Sequence, residues 1–393
     1  PNIMKRTLVM MLLSTAALHA TEPVKLRFEH LNSIEGSEKW DWWQARSAYV
    51  PGNQPIWLTT MSETGKTGVH DFHDIYQSIS QDRGKSWSKP VVIPTLKRTK
   101  QPDGYEVAPG DLWPTWHPKS RKILATGKTF NFADGKRENR LREKVSYAVM
   151  DHNTKEWEPM RFLQMPKKDH AGYAITAANA GCTQRVDLPN GDILLPIRYW
   201  RDPKKRNYTS IVARCRFDGQ KLTYIEHGSE MTIPKGRGLY EPSLAKYQGE
   251  YFLTMRADHS AFVAKGKNGL HFEPIREWTF DDGKALGSYN TQQHWVTVGG
   301  GLFLIYTRKG ANNDHVMRHR APLFIGQVDP KKLQVIRATE RILIAENHAT
   351  LGNSGICRIN DTESWVTCGE GLLRLGKRKG QKNKVLFVKI TSP

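Results

Sequence analysis

Ser80-Gln81-Asp82-Arg83-Gly84-Lys85-Ser86-Trp87 fits the Asp-box pattern S-x-D-x-G-x-[ST]-W at every defining position. The residue types specify a hairpin turn. Ser80 and Asp82 hydrogen-bond turn backbone, Gly84 supplies a positive φ, and Trp87 is expected to tuck against the sheet that follows. This motif shapes a turn and carries no catalysis. Weaker echoes stand at Asp151 to Trp157 and at Lys265 to Phe272, where a turn and an aromatic survive without the full motif.

Between these turns run short apolar strand patterns: Ile56-Trp57-Leu58, Ile123-Leu124-Ala125, Ile193-Leu194-Leu195, Tyr251-Phe252-Leu253, Leu302-Phe303-Leu304 and Ser364-Trp365-Val366. They recur roughly every fifty to seventy residues, each after a Gly, Pro, Asn or charged turn, as antiparallel blades do. The reading is an all-β chain, a six-bladed β-propeller with seven blades as the alternative. Val24 to Glu29 and Lys384 to Ile390 are both strand-like. The two chain ends are therefore expected to share one blade and close the ring, which leaves no free sheet edge.

Composition agrees with many strands and tight turns: 12 Trp, 13 Tyr and 13 Phe stand beside 32 Gly and 21 Pro in 393 residues. Residues 1–20 read as an export signal, with Lys5 and Arg6 as the charged region, Thr7 to Ala17 as the apolar stretch, and Leu18-His19-Ala20 as the cleavage site. Residues 21–393 are then one propeller domain, secreted or periplasmic. The apolar stretch is too short to span a bilayer, and no membrane partner is expected. The formal charge of +20 loses only Lys5 and Arg6 with the signal. An exported basic chain without a nucleic-acid module suits an anionic glycan rather than nucleic acid. Part of the charge is plain solvation, as in the loop Gly376 to Lys384. Cys182, Cys215, Cys357 and Cys368 lack zinc-site spacing. Cys357 and Cys368, on two arms of a hairpin about Asn360-Asp361, are the better candidate disulfide pair, with buried free thiols as the alternative. No metal or cofactor is called for by any spacing, and a monomer is expected.

The pattern resembles the sialidase superfamily over most of residues 21–393. That family holds its substrate carboxylate with three arginines from different blades, since guanidinium groups give bidentate, geometry-fixing hydrogen bonds. The resemblance points to Arg46 in Gln44-Ala45-Arg46-Ser47, to Arg256 after Tyr240-Glu241-Pro242-Ser243, and to Arg320 in His319-Arg320-Ala321-Pro322, with Arg318 as a rival. It implies Asp74, six residues before Ser80, as acid/base and Glu241 as general base. The family's tyrosine nucleophile is replaced: Asn353 stands about where it belongs, and no tyrosine follows Tyr306. The function implied is hydrolysis of a glycosidic bond to an acidic sugar, by direct attack of water.

Two other readings stay open. His117, Arg198 and Tyr240 could serve a polysaccharide lyase, in which an arginine neutralises a uronate carboxylate while His or Tyr takes the C5 proton. The third is a propeller that binds glycan without turnover.

Overall fold

In the computed structural model, which describes residues 21–65, 70–138, 140–373 and 375–393, the recurring apolar segments become the second strands of successive blades. The export-signal reading over 1–20 lies outside the described residues. Six sheets follow one another around an axis. The first blade runs outward from Asp41–Val50 through Ile56–Thr64 and Phe72–Ser80 to Val91–Val92. The second is built on Glu106–His117, the third on Thr176–Asn179 and Asp192–Trp200, the fourth on Tyr240–Tyr247 and the fifth on His294–Val298. The sixth contains Ser354–Arg358, Glu363–Gly369 and Lys384–Thr391, and the N-terminal strand Arg27–His30 pairs antiparallel with the last of these. The two ends of the chain thus complete one blade between them, as the sequence suggests.

Blades stack face to face, so middle strands are buried on both sides and read as continuous apolar or small runs rather than alternations. Every residue of Ile56–Thr64 is buried, as is every residue of Asp192–Trp200. Each blade boundary holds an apolar cluster: Leu58, Ile75, Ile123 and Ala125 between the first two blades, and Leu124, Val149, Ile193 and Leu195 between the next two. Each fully buried Leu or Ile contributes about 1.5–3 kcal/mol. Stability is therefore spread around the ring instead of residing in one centre.

The Ser80–Trp87 turn is tied down by its own polar groups. Gly84 N–H donates to Ser80 Oγ (2.8 Å), Ser86 N–H to Asp82 Oδ1 (2.9 Å) and Ser86 Oγ–H to Asp82 Oδ2 (2.6 Å). These bonds to Ser86, joined by one from Ser80, draw the Asp82 carboxyl down to about 2. Gly84 has φ +78, and a Cβ there would strike Leu31 and Trp365. Trp87 stacks on Phe387 (4.3 Å between ring centroids) and donates to the Asn32 carbonyl. It therefore covers the closing sixth blade and not the following one, because the turn folds back over the blade behind it. A related turn closes the third strand of other blades: Asp151, Asp218, Asn268 and Asp329 each accept two backbone N–H groups two and three residues on, where Asp82 accepts one four residues on.

All four cysteines are free and buried. Cys357 and Cys368 do lie on the two arms of one hairpin. Cys357, however, faces Trp365 across the ladder and Cys368 faces Ser354, so the candidate disulfide is not formed. Among the described residues no helix is long and apolar enough to cross a membrane.

Candidate active site at the propeller axis

The innermost strands break their own ladders where they approach the axis. Registers shift between Trp43 and Arg46, Gly110 and Trp113, Thr176 and Asn179, and Tyr240 and Ser243. Inside each bulge one non-glycine residue adopts a left-handed backbone: Gln44 (φ +56), Asp111 (φ +48), Ala177 (φ +50) and Glu241 (φ +48). Such residues cost roughly 1–3 kcal/mol each and persist where the surroundings enforce them. A bulge also re-aims a side chain. Here Gln44, Asp111 and Glu241 line a common cavity of about 260 Å³, as do Cys182 (φ +64) and Arg318 (φ +55).

Positive charge dominates its wall. Lys128, Arg137, Arg140, Arg198, Arg237, Arg256, Arg318 and Arg320 face two carboxylates, Asp111 and Glu241. Glu241 lies 3.0 Å from Arg198 Nη1 and accepts from Arg256 Nη1 at 2.6 Å. Burial alone would raise its pKa, but Arg256 and Arg198 overcome that and hold the carboxyl far below its ordinary range. It is a fixed anion that spaces two guanidinium groups. Asn290, itself left-handed (φ +48), gathers three more contacts: its Oδ1 accepts from Arg256 (2.6 Å) and Arg237 (3.0 Å), and its carbonyl from Arg320 (2.6 Å).

Tyr240 sits beneath these cations, with guanidinium carbons of Arg237, Arg256 and Arg198 at 4.7, 4.8 and 5.8 Å from its ring centroid. Its hydroxyl donates to Asp258 Oδ1 and accepts from Arg237 Nη2, both at 2.6 Å. Burial is the largest cause pushing this phenol up to about 12, so it is a neutral proton donor at working pH. Asp111 contrasts with Glu241. Its backbone N–H donates to Gln44 Oε1 (2.8 Å), its Oδ2 lies 3.3 Å from Lys128 Nζ, and its buried Oδ1 has no hydrogen-bond partner among the described residues.

The structure therefore brings together Tyr240, Glu241, Arg198, Arg256, Arg318 and Arg320. Three expected site residues stand elsewhere. Arg46 is fully buried under the cavity floor, where it donates to Gln292 Oε1 (2.9 Å) and lies 5.2 Å from the Trp113 ring centroid. The bulge beside it turns Gln44 to the cavity in its place, and Arg46 is linked to the wall through Gln292, which donates to Asn353 Oδ1. Asp74 lies on the third strand of the first blade and accepts the Arg98 backbone N–H (2.9 Å), away from the cavity lining. His117 ends an inner strand outside that lining. Its Nε2 donates to the Gly191 carbonyl (2.9 Å) and its Nδ1 lies 2.8 Å from Ser120 Oγ, which fastens the second blade to the third.

Asp111, Arg237, Asn290, Lys128 and the pair Arg137 and Arg140 were not singled out from sequence. Two of them carried a signal: Pro109-Gly110-Asp111 is turn-like inside a strand, and Gly236-Arg237-Gly238 brackets an arginine with flexible backbone. Away from the axis, His170, His227 and Glu230 place three ligand-type atoms within 4.8 Å of one another. They already bond among themselves, His227 Nε2 lying 3.0 Å from Glu230 Oε1, and Arg201 donates to the other oxygen.

A protein of unknown function from Dyadobacter fermentans superposes with a TM-score of 0.66 at 12% identity, covering 94% of this chain and 99% of its own. Trypanosoma rangeli sialidase superposes at 0.58 and 14% identity, covering 88% of this chain and 55% of its own. The fold is that of the sialidase propellers. A sialidase from Streptococcus pneumoniae, NanB, gives 0.57 at 11% identity over 93% of this chain and 70% of its own. No protein-family model matches the sequence, and no curated protein sequence does. The chain spans about half the length of the T. rangeli sialidase, so what the sialidase-like propeller shares with it is architecture.

Proposed function

We propose that this chain is an exported enzyme that cleaves a glycosidic bond beside a carboxylate-bearing sugar held in the axial cavity, by addition of water. The observation that carries the reading is the charge of the wall: eight cationic groups against two carboxylates, one of which is already committed to Arg198 and Arg256. A cavity so lined is completed by an anion, and paired guanidinium groups fit a carboxylate bidentately. Arg256, Arg320 and Arg318 bind the sugar carboxylate, and Glu241 and Asn290 hold those arginines in place.

Asp111 is the wall carboxylate outside the arginine fork. In the proposed reaction it takes a proton from water as the water oxygen bonds to the anomeric carbon. The bond from that carbon to the bridging oxygen breaks, and the Tyr240 hydroxyl turns its proton from Asp258 to the bridging oxygen, which takes it. The phenolate so formed is stabilised by Arg237, and the two protein groups return to their starting states by proton exchange with solvent. This scheme needs no tyrosine nucleophile.

Elimination is the second reading, and it is favoured by the same placing of Tyr240 beneath three guanidinium groups. With a uronate carboxylate neutralised by the arginines, Asp111 would take the C5 proton and Tyr240 would protonate the departing oxygen. Incubation with sialylated, uronate-containing and sulfated glycans, followed by product mass, separates the two: hydrolysis adds one water and elimination adds none. Binding with no product from any glycan would sink both readings in favour of a binding propeller.

A further inference from the structure

A second cavity, of about 560 Å³, adjoins the first and shares His70, Arg137 and Arg140 with it. It is lined by Arg137, Arg140 and Leu141 of the second blade and by Trp200, Pro203 and Arg206 of the third. Among the described residues its lining contains three arginines and no carboxylate, whereas the axial cavity contains two carboxylates. Arg137 is committed: it lies over Phe130 and bonds Glu143. Arg140 points its Nη1 to within 3.5 Å of the Tyr208 hydroxyl, at the junction of the two cavities. Arg206 is exposed, and Leu141, at 43% exposure, is one of few large apolar side chains open to solvent among the described residues.

We propose that this groove is a second anionic subsite: it binds the next anionic group of a longer glycan whose first carboxylate lies in the axial cavity. The inference rests on the preceding functional reading and adds that the natural substrate is a polyanionic oligosaccharide or polysaccharide, not a single acidic cap on a neutral chain. The volume suits a sugar residue, since pockets of several hundred Å³ hold small ligands. Arg140 and Arg206 supply donors for a carboxylate or sulfate ester, and the exposed Leu141 supplies apolar surface for a ring face. Two anions bound in series on one chain gain by effective concentration, because the second binding event becomes intramolecular.

The test compares monomers with tetramers by calorimetry. The monomers are galacturonate, glucuronate and N-acetylneuraminate. The tetramers are tetragalacturonate, chondroitin tetrasaccharide with and without sulfate, and tetrasialic acid. Arg206 has φ +52, so Arg206→Asn removes the charge while keeping a residue that tolerates that backbone. At least one tetramer is expected to bind tenfold or more tighter than its monomer, and R206N is expected to cut that ratio by about tenfold. Arg206→Lys should restore part of it. A larger gain for sulfated than for unsulfated chondroitin assigns the groove to sulfate esters, and equal gains assign it to carboxylates. Tetramers no tighter than monomers, or a ratio unmoved by R206N, overturn the subsite while leaving the axial reading intact. If no compound binds at all, the axial reading itself fails and the subsite with it.

Discussion

Glu241→Gln is the substitution whose outcome follows most directly from the geometry. The native carboxylate lies 3.0 Å from Arg198 and 2.6 Å from Arg256, and both guanidinium groups are at most 10% exposed. Gln keeps the shape but leaves two buried cations without an anion in a wall already rich in them. Breaking a buried ion pair by removing one partner costs about 3–5 kcal/mol. For a chain of 393 residues, with an unfolding entropy of about 2.1 cal/mol/K per residue, a ~3 kcal/mol loss lowers Tm by about 4 °C. Because the folded carboxyl titrates far below its unfolded value, its contribution is present above about pH 4 and declines as pH falls further. The Tm gap between wild type and E241Q should therefore narrow in acid. Added sulfate, able to sit between the freed guanidinium groups, should raise the Tm of E241Q more than that of wild type. Scanning calorimetry at pH 7 and pH 3, with and without sulfate, reads all of this. A variant that melts within a degree of wild type at pH 7 and responds equally to sulfate would refute the view that Glu241 spaces a binding pair.

Asp111→Asn should lower product formation by 10²–10⁴-fold, the usual range for an acid/base group, while affinity for a carboxylate monomer, read by calorimetry, stays within tenfold. Asp74→Asn should keep most of the rate, since Asp74 serves the Arg98 backbone; a dead D74N beside an active D111N would exchange their roles. Tyr240→Phe removes the hydroxyl between Asp258 and Arg237 and should cost kcat more than KM. Since burial leads in pushing that phenol up to about 12, the wild-type pH profile should show no tyrosine ionisation up to pH 10. His117→Ala should cost about 2 kcal/mol through the loss of one buried and one part-buried hydrogen bond and lower Tm, with the turnover of folded molecules unaltered. Loss of turnover without loss of stability would return His117 to the active site.

How far the sequence could be read depended on how local each signal is. The Ser80–Trp87 turn is legible because its bonds lie within eight consecutive residues, and the six blades follow from a repeat of short apolar strands. The turns at Asp218 and Asp329 also bond an Asp side chain to turn backbone, two and three residues on rather than four, and lack the Ser and Trp that make the motif visible. Trp87 was assigned the wrong neighbour because a turn's own residues do not say which way it folds over the ring. The arginines after Glu241 and before Pro322 were legible as spacing within a resemblance. Arg46 was misplaced by the same reasoning, because a bulge of one register step exchanges the side chains facing the axis and the core.

That bulge is the physical key to the site. Four of the six inner strands spend a left-handed residue beside the axis, at Gln44, Asp111, Ala177 and Glu241, and none of these is glycine, the residue that would adopt the conformation most cheaply. Gln44, Asp111 and Glu241 use the turn to reach into the cavity: Gln44 holds the Asp111 backbone, and Glu241 holds two arginines. A glycine would relieve the strain and remove the contact. Strain retained in the first, second and fourth blades, each time on a polar side chain facing a shared cation-lined space, is what a ring does when its axis binds a ligand rather than merely closing.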